Sequence, residues 1–288
     1  MSMKLYIGST PLLPTPTLGD VGLTSIYQGN TLMYGEIIRQ PKDILGLENW
    51  WRADLGITLS GSRVTQWDDQ INGKSLTLES GSSAPDWISA DSGMNDKPAI
   101  HFGNNATNES LSDNANPIST SLSDIPFLYY VISYESGSHG TTDVVLGGDN
   151  IRNTPGQIYS ISTNTFDYQN RFVLTERDLA TSGTTIAERD VISTSYKNWV
   201  GIAWKNTPSR DGYWYHNGVE ETWYSSGTDG WGRNGLVTSG IKLVVGNAGP
   251  GSTSVFKGKV LEMGFGLQKP SASELAQFNE YVNRRYGL

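Results

Sequence analysis

The chain has 288 residues, a net charge of −8 with a pI near 4.9, 36% hydrophobic and only 17% charged residues, and no cysteine. Without cysteine there is no disulfide framework, Cys-based zinc site or thiol nucleophile, and without a Lys/Arg cluster nothing tracks a nucleic-acid backbone. No run of about 18 apolar residues offers a membrane span, and no signal-peptide pattern stands at the start, so synthesis in the cytoplasm without membrane insertion is expected.

Low charge with abundant Gly (33 residues), Ser, Thr and Asn favours an all-β chain. In residues 1–40 a phrase occurs twice: Tyr6, Gly8 and Thr10 answer to Tyr27, Gly29 and Thr31, with Pro11, Pro14 and Pro16 between the copies. Each YxGxT-type copy reads as a short strand running into a glycine turn. An isolated two-stranded ribbon is marginal in water, so this segment is expected to be a docking or oligomerisation arm that orders against a partner.

Gln40-Pro-Lys-Asp-Ile marks a junction, and alternating strands follow: Ser62–Trp67, Pro98–Phe102 and the near-continuous apolar run Phe127–Tyr134, which suits a strand covered on both faces. Further strands are expected at Gln157–Ser162, Arg171–Leu174, Trp199–Lys205, Gly212–His216, Val219–Tyr224, Lys242–Gly246 and Lys259–Gly266. Asn217-Gly218 predicts a two-residue hairpin turn. The chain closes with one helix: Ser271 and Glu274 form a capping box, Arg284 and Arg285 suit the far end, and Leu275, Phe278, Val282 and Tyr286 make one apolar face.

The order of segments resembles the concanavalin A-like (laminin-G-like) jelly-roll family over residues 45–288. It is carried by Leu47–Asp54 with Trp50-Trp51, Val64–Asp69 with Trp67, Lys97–Gly103, Asn198–Ala203, Tyr215–Gly218 and Phe256–Glu262. The resemblance implies a jelly-roll β-sandwich with Trp50, Trp51, Trp67, Trp199 and Trp204 in structural positions. The repeated arm is similar to those of tailed-phage virion proteins. Together they imply a virion protein, such as a tail fibre, receptor-binding or decoration protein, binding host-surface glycan and joined to other virion proteins through residues 1–40. A homo-oligomer is expected, a trimer if the element is a fibre.

Candidate chemistry follows the aromatic residues. Tyr213, Trp214, Tyr215, His216, Trp223, Tyr224 and Trp231 crowd one hairpin region, where rings can stack on sugar faces. Alternation puts Tyr213 and Tyr215 on one face and Trp214 and His216 on the other, one pair in the core and one exposed; sheet packing and a subunit interface stay open as alternatives. Calcium, held by some members of the family, would draw on Asp143, Asp149 and Asn150, or on Asp68, Asp69 and Asn72; turn formation is the plainer role. Jelly-roll glycosidases usually carry a Glu-x-Asp-x-Glu run on one strand, and none is present: Glu220 and Glu221 are adjacent, and Glu262 stands alone. The three His (101, 139 and 216) are dispersed. The chain is therefore expected not to be an enzyme, with a depolymerase or glycosidase, or a ligand-free decoration protein, as the competing readings.

Overall fold

In a computed structural model, backbone and side chains are described for residues 39–103, 109–113, 127–133, 215–220, 243–246, 256–266 and 268–288, and several further strands by their backbone pairing. The expected all-β sandwich with a C-terminal helix is what the chain forms.

One sheet is built around β22 (Gly258–Gly266). On one side it pairs in antiparallel register with β12 (Phe127–Tyr134), which pairs in turn with β18 (Lys197–Trp204), and that with β19 (Gly212–His216) and β20 (Val219–Glu221). On its other side β22 takes β5 (Leu47–Arg52) at one end and β10 (Lys97–Phe102) at the other; β10 carries β9 (Asp86–Asp91). The second sheet runs from β6 (Ile57–Ser60) through β7 (Arg63–Asp68), β8 (Ser75–Leu78), β11 (Leu111–Ser112) and β21 (Leu243–Val245). It continues into β13 (Asp143–Gly148), β14 (Gln157–Asn164) and β15 (Arg171–Asp178), which pairs with both β16 (Thr184–Ala187) and β17 (Asp190–Ile192).

The alternation of β12 explains why its apolar run is unbroken. Leu128, Tyr130 and Ile132 enter the core between the sheets with Trp51, Trp67, Phe102 and Phe256. Phe127, Tyr129 and Val131 face the opposite way, onto a second core completed by helix α1 (Pro41–Leu45) and helix α2 (Ala272–Tyr286). Successive strand residues point to opposite faces, so a strand with both faces covered needs apolar side chains throughout. Trp50, Trp51 and Trp67 are buried as expected; the side chains of Trp199 and Trp204 lie outside the described residues.

Helix α2 has the expected capping box: Ser271 Oγ accepts from Glu274 N at 3.3 Å, and Ser271 N donates to Glu274 Oε2 at 2.7 Å. Phe278, Tyr281, Val282 and Tyr286 are its buried face, with Leu275 half-buried. The junction at Gln40 is itself a helix start, because Pro41 sits in the first turn where a missing N–H costs nothing and Gly46 ends it at φ 57°.

Each arm repeat is a hairpin of its own. In the first, β1 (Tyr6–Ile7) pairs with β2 (Thr10–Pro11), Ile7 opposite Thr10; in the second, β3 (Ile26–Gln28) pairs with β4 (Thr31–Tyr34), Gln28 opposite Thr31. The repeated phrase thus encodes two strands and the two residues between them, Gly8-Ser9 or Gly29-Asn30. Among the described pairings neither hairpin joins a sandwich sheet.

Candidate functional site

The hairpin β19–β20 turns at Asn217 (φ 47°) and Gly218 (φ 85°), the two positive φ values of a type I′ turn. Trp214 pairs with Glu221, Tyr215 with Glu220 and His216 with Val219. Tyr215 is 1% exposed and packs edge-on against Phe127 at 6.4 Å. Its place in the glycan-binding set is corrected accordingly: with its ring inside the helix-covered core, no sugar reaches its face. The alternation expected of this strand holds at the two positions seen, since His216 is half-exposed.

The hairpin is fixed from below at several points. Lys269 Nζ lies 6.0 Å from the centre of the Tyr215 ring and 3.7 Å from Glu220 Oε2. The Gly218 backbone lies against the Asn279 side chain of helix α2, where a Cβ would stand 2.6 Å from Asn279 Cγ. The side chains of Tyr213 and Trp214, and all of Trp223, Tyr224 and Trp231, lie outside the described residues. So do Gly8, Gly29, Asp149 and Asn150, whereas Tyr6, Thr10, Tyr27, Thr31 and Asp143 stand in strands without described side chains.

The second sheet carries a polar ladder on the face opposite the core, half-exposed at Gln66, Asp68, Ser75 and Thr77 and buried at Glu79 and Ser112. Ser75 Oγ and Gln66 Nε2 donate to Asp68 Oδ1 at 2.6 and 2.7 Å, Thr77 Oγ1 donates to the Ser112 carbonyl at 3.4 Å, and Ser112 Oγ donates to Glu79 Oε2. The register sets Gln66 beside Thr77 and Asp68 beside Ser75, so hydroxyl, amide and carboxylate groups alternate across β7, β8 and β11. The sequence signal for it was the alternation Ser75-Leu-Thr-Leu-Glu79, in which the polar set shares a face.

Asp69 does other work than cation binding. Its Oδ1 accepts from Trp50 N at 2.7 Å and Ile71 N at 3.1 Å, and its Oδ2 from Asn49 Nδ2 at 2.9 Å and Asn72 N at 2.8 Å. A carboxylate filled by four N–H donors has no lone pairs left for a hard cation. The calcium reading of Asp68, Asp69 and Asn72 is corrected: Asp69 ties the loop after β7 to β5. Among the described residues no group of three or more His, Asp or Glu is placed to hold a metal.

Glu262, isolated in sequence, is the hub of the helix-covered face. It is fully buried. Oε1 accepts from Trp50 Nε1 and Tyr129 OH, both at 2.8 Å, and Oε2 from Tyr281 OH at 2.9 Å and from Tyr286 OH. Two donors come from the sheet and two from helix α2. Beside it, Asp54 bridges Arg52 Nε and Arg285 Nη2, each at 2.6 Å. Burial would raise the Asp54 carboxyl, but Arg285 and Arg52 outweigh it and hold the group below the usual carboxylate value. Burial likewise works against the Arg285 charge, and Tyr286, Tyr281, Asp54 and Glu262 more than compensate, raising it. Glu262 is thus a structural carboxylate, with no face open to a substrate.

No family model matches the chain, and no curated protein sequence matches it. An arabinofuranosidase complexed with arabinofuranosyl-alpha-1,2-xylobiose superposes with a TM-score of 0.55 at 14% identity, over 78% of this chain and 51% of that one. The Ruminococcus gnavus IT-sialidase CBM40 bound to alpha2,3 sialyllactose gives 0.44 at 13% identity, over 63% of this chain and 95% of that one. Trypanosoma rangeli sialidase gives 0.46 at 12% identity, over 91% and 36%. The first likeness shows a shared fold, the β-sandwich. It also corrects the expectation that the chain is not an enzyme: an arabinofuranosidase carries this sandwich, so a missing Glu-x-Asp-x-Glu run does not set the chain apart from enzymes of like fold.

Proposed function

We propose that the chain is a glycan-binding β-sandwich protein of a phage particle, held to the particle or to sister subunits by residues 1–40. The observation that supports glycan binding is the anchoring of hairpin β19–β20. Buried Tyr215, packed against Phe127, and the Lys269–Glu220 pair tie the hairpin to the sandwich, and the chain carries Trp214 on that hairpin and Trp223, Tyr224 and Trp231 after it. A stacking platform binds better when its support is rigid, because less entropy is lost on binding. His216, Trp214, Trp223, Tyr224 and Trp231 are the proposed contacts; alternation puts Tyr213 on the face of buried Tyr215, away from them. The arm reading is supported by two hairpins that repeat one phrase and, among the described pairings, join neither sheet.

Many tethered copies would turn weak single-site sugar binding into firm adhesion through effective concentration. A glycan array and a host-cell binding assay test the reading on the full chain and on the Trp214→Ala, Trp223→Ala and Trp231→Ala variants, each checked for a native circular dichroism spectrum. Loss of binding by about tenfold or more in at least one variant is expected, taking a ring stacked on the ligand to be worth about as much as a base stacked on an aromatic side chain, about 1–3 kcal/mol. Unchanged binding in all three folded variants would overturn the platform. New reducing ends in the same incubations would show that the bound glycan is also cleaved.

A further inference from the structure

Strand β6 is an open edge of unusual composition. It reads Ile57-Thr-Leu-Ser60, pairs only with β7 among the described strands, and leaves Thr58, Leu59 and Ser60 exposed, Leu59 at 39%. Val64, opposite Leu59, donates its N–H away from β6 to the Pro85 carbonyl at 2.8 Å. Leu59 is therefore in a non-hydrogen-bonded pair, and its own N–H and C=O point outward along the free edge. The register shift between Thr58 and Leu59 puts the extra residue, Thr65, on β7 and leaves β6 regular. Natural edges are usually guarded by charge, proline or a bulge of their own. The edge of the other sheet follows that rule, since β20 carries Glu220 and Glu221 and Lys269 stands against Glu220.

The arm has the complementary shortage. Strand β4, Thr31-Leu-Met-Tyr34, is four residues long like β6, uncharged like β6, and among the described strands pairs on one side only, with β3. We infer that β4 of one copy adds to the β6 edge of a second copy, extending the second sheet by one hairpin. The inference rests on the docking-arm reading above and names the surface that receives the arm. Matching lengths, absence of charge on both strands and outward-facing backbone groups at Leu59 are what select this occupant. Reciprocal exchange of arms between copies would gain from tethering once one arm is seated.

The absence of native cysteine makes the test direct. Full-length Leu59→Cys protein is mixed with full-length Leu32→Cys or Met33→Cys protein and oxidised; neighbouring strand positions face opposite ways, so one of the two should join Leu59→Cys in a disulfide-linked heterodimer. Val219→Cys, on the guarded edge and 59% exposed, serves as the control acceptor. Equal yields from Leu59→Cys and Val219→Cys, or no heterodimer from either, would overturn the inference. In parallel, Leu59→Lys places a guard charge on the edge and should weaken self-association of the full chain by about tenfold or more in Kd, with an unchanged melting temperature. Undiminished self-association of Leu59→Lys would overturn the β6 assignment and leave the docking arm standing. Monomers at every concentration in the unsubstituted chain would overturn both.

Discussion

Replacing Glu262 with alanine isolates what holds helix α2 to the sheet. The substitution removes the acceptor of four buried donors, Trp50 Nε1 and the hydroxyls of Tyr129, Tyr281 and Tyr286. Each buried donor left unpaired costs about 1–3 kcal/mol, so the four together cost roughly 4–12 kcal/mol. Against this stands the relief of a buried charge whose bonds come entirely from uncharged donors, worth several kcal/mol. The donors outnumber the charge, and a net loss of about 3–6 kcal/mol is expected, a large share of the roughly 5–15 kcal/mol of a typical domain. Glu262→Gln separates the two effects. It keeps the shape and one acceptor oxygen while removing the charge, and its NH2 can donate to the Tyr281 and Tyr286 oxygens, whose hydroxyls turn to suit; it should lose only about 1–2 kcal/mol. Urea unfolding followed by tryptophan fluorescence gives both values from the midpoint shift at constant slope. If Glu262→Ala lay within 1 kcal/mol of the parent, or Glu262→Gln were the worse of the two, the hub would not act through its hydrogen bonds.

Alkaline pH offers an independent measurement. Burial first, with Glu262 adding to it for three of the four, raises Tyr129, Tyr130, Tyr281 and Tyr286 well above the ordinary tyrosine value, so these groups stay protonated in the folded chain while the unfolded chain ionises near pH 10. The stability they contribute is complete below about pH 10 and is lost as pH rises above it, by up to about 5 kcal/mol per unit for four protons; a flat stability curve between pH 9 and 11 would refute the burial of these hydroxyls. Tyr130 OH has no hydrogen-bond partner, so Tyr130→Phe should cost less than about 0.5 kcal/mol at pH 7 and reduce the alkaline slope by about a quarter. Two glycines should rank by what a Cβ would meet. At Gly246 (φ 107°) it would lie 2.3 Å from Phe102 Cδ1 and 2.5 Å from the Glu109 carbonyl, and at Gly218 only against the movable Asn279 side chain; Gly246→Ala is expected to cost more than about 3 kcal/mol and Gly218→Ala about 1–2, and the reverse order in thermal melts would refute the packing. Asp69→Ala should cost about 2–4 kcal/mol through its orphaned backbone donors, and added calcium should not move the melting temperature of the parent through this loop.

Elements with strong local signals were legible. The run Phe127–Tyr134 coincides with β12 because double-sided burial demands apolar residues throughout, and Asn217-Gly218 sits at its turn because positive φ selects those residues. The capping box of α2 and three of the four residues on its buried face were equally plain; Tyr281 was missed because the spacing pattern admits Val282 without it. Strands β2, β4, β6, β8, β11, β16 and β17 escaped because two to four residues are too short a pattern to stand out, even where, as in β8, they alternate; the six-residue β5, β9 and β13 were not read as strands either, and pairing in the sheet, a tertiary effect, makes all of these strands. Glu262 could be read only as a lone acid: its partners lie at positions 50, 129, 281 and 286, and no local spacing brings them together. Asp69 looked like a cation ligand for the reason it is not one, since a short acidic side chain in a turn is placed to accept backbone N–H groups as readily as to meet a metal.

The two helices decide where a ligand can and cannot lie. Over the described residues of the β12–β22 sheet flat-face binding is closed off, because Ile44, Leu45, Phe278, Tyr281, Val282 and Tyr286 cover the side that faces away from the sandwich core, and the opposite side is that core. Uncovering the first side would expose several large apolar side chains at about 1.5–3 kcal/mol each and break the four bonds of Glu262 as well, so the helix is a fixed wall and no lid. Among the described residues, two polar or turn surfaces stand clear of the helices: the hairpin β19–β20 at one margin of this sheet, and the polar ladder of Gln66, Asp68, Ser75 and Thr77 on the second sheet. On the proposed reading the first would supply the aromatic residues that the sequence carries on and after it, and the second alternating donors and acceptors. Sugar binding dominated by stacking would vanish with the tryptophans of the hairpin region, whereas binding dominated by hydroxyl contacts would survive them and fail in Asp68→Ala, which makes the alanine series around both surfaces a measurement of where the ligand sits.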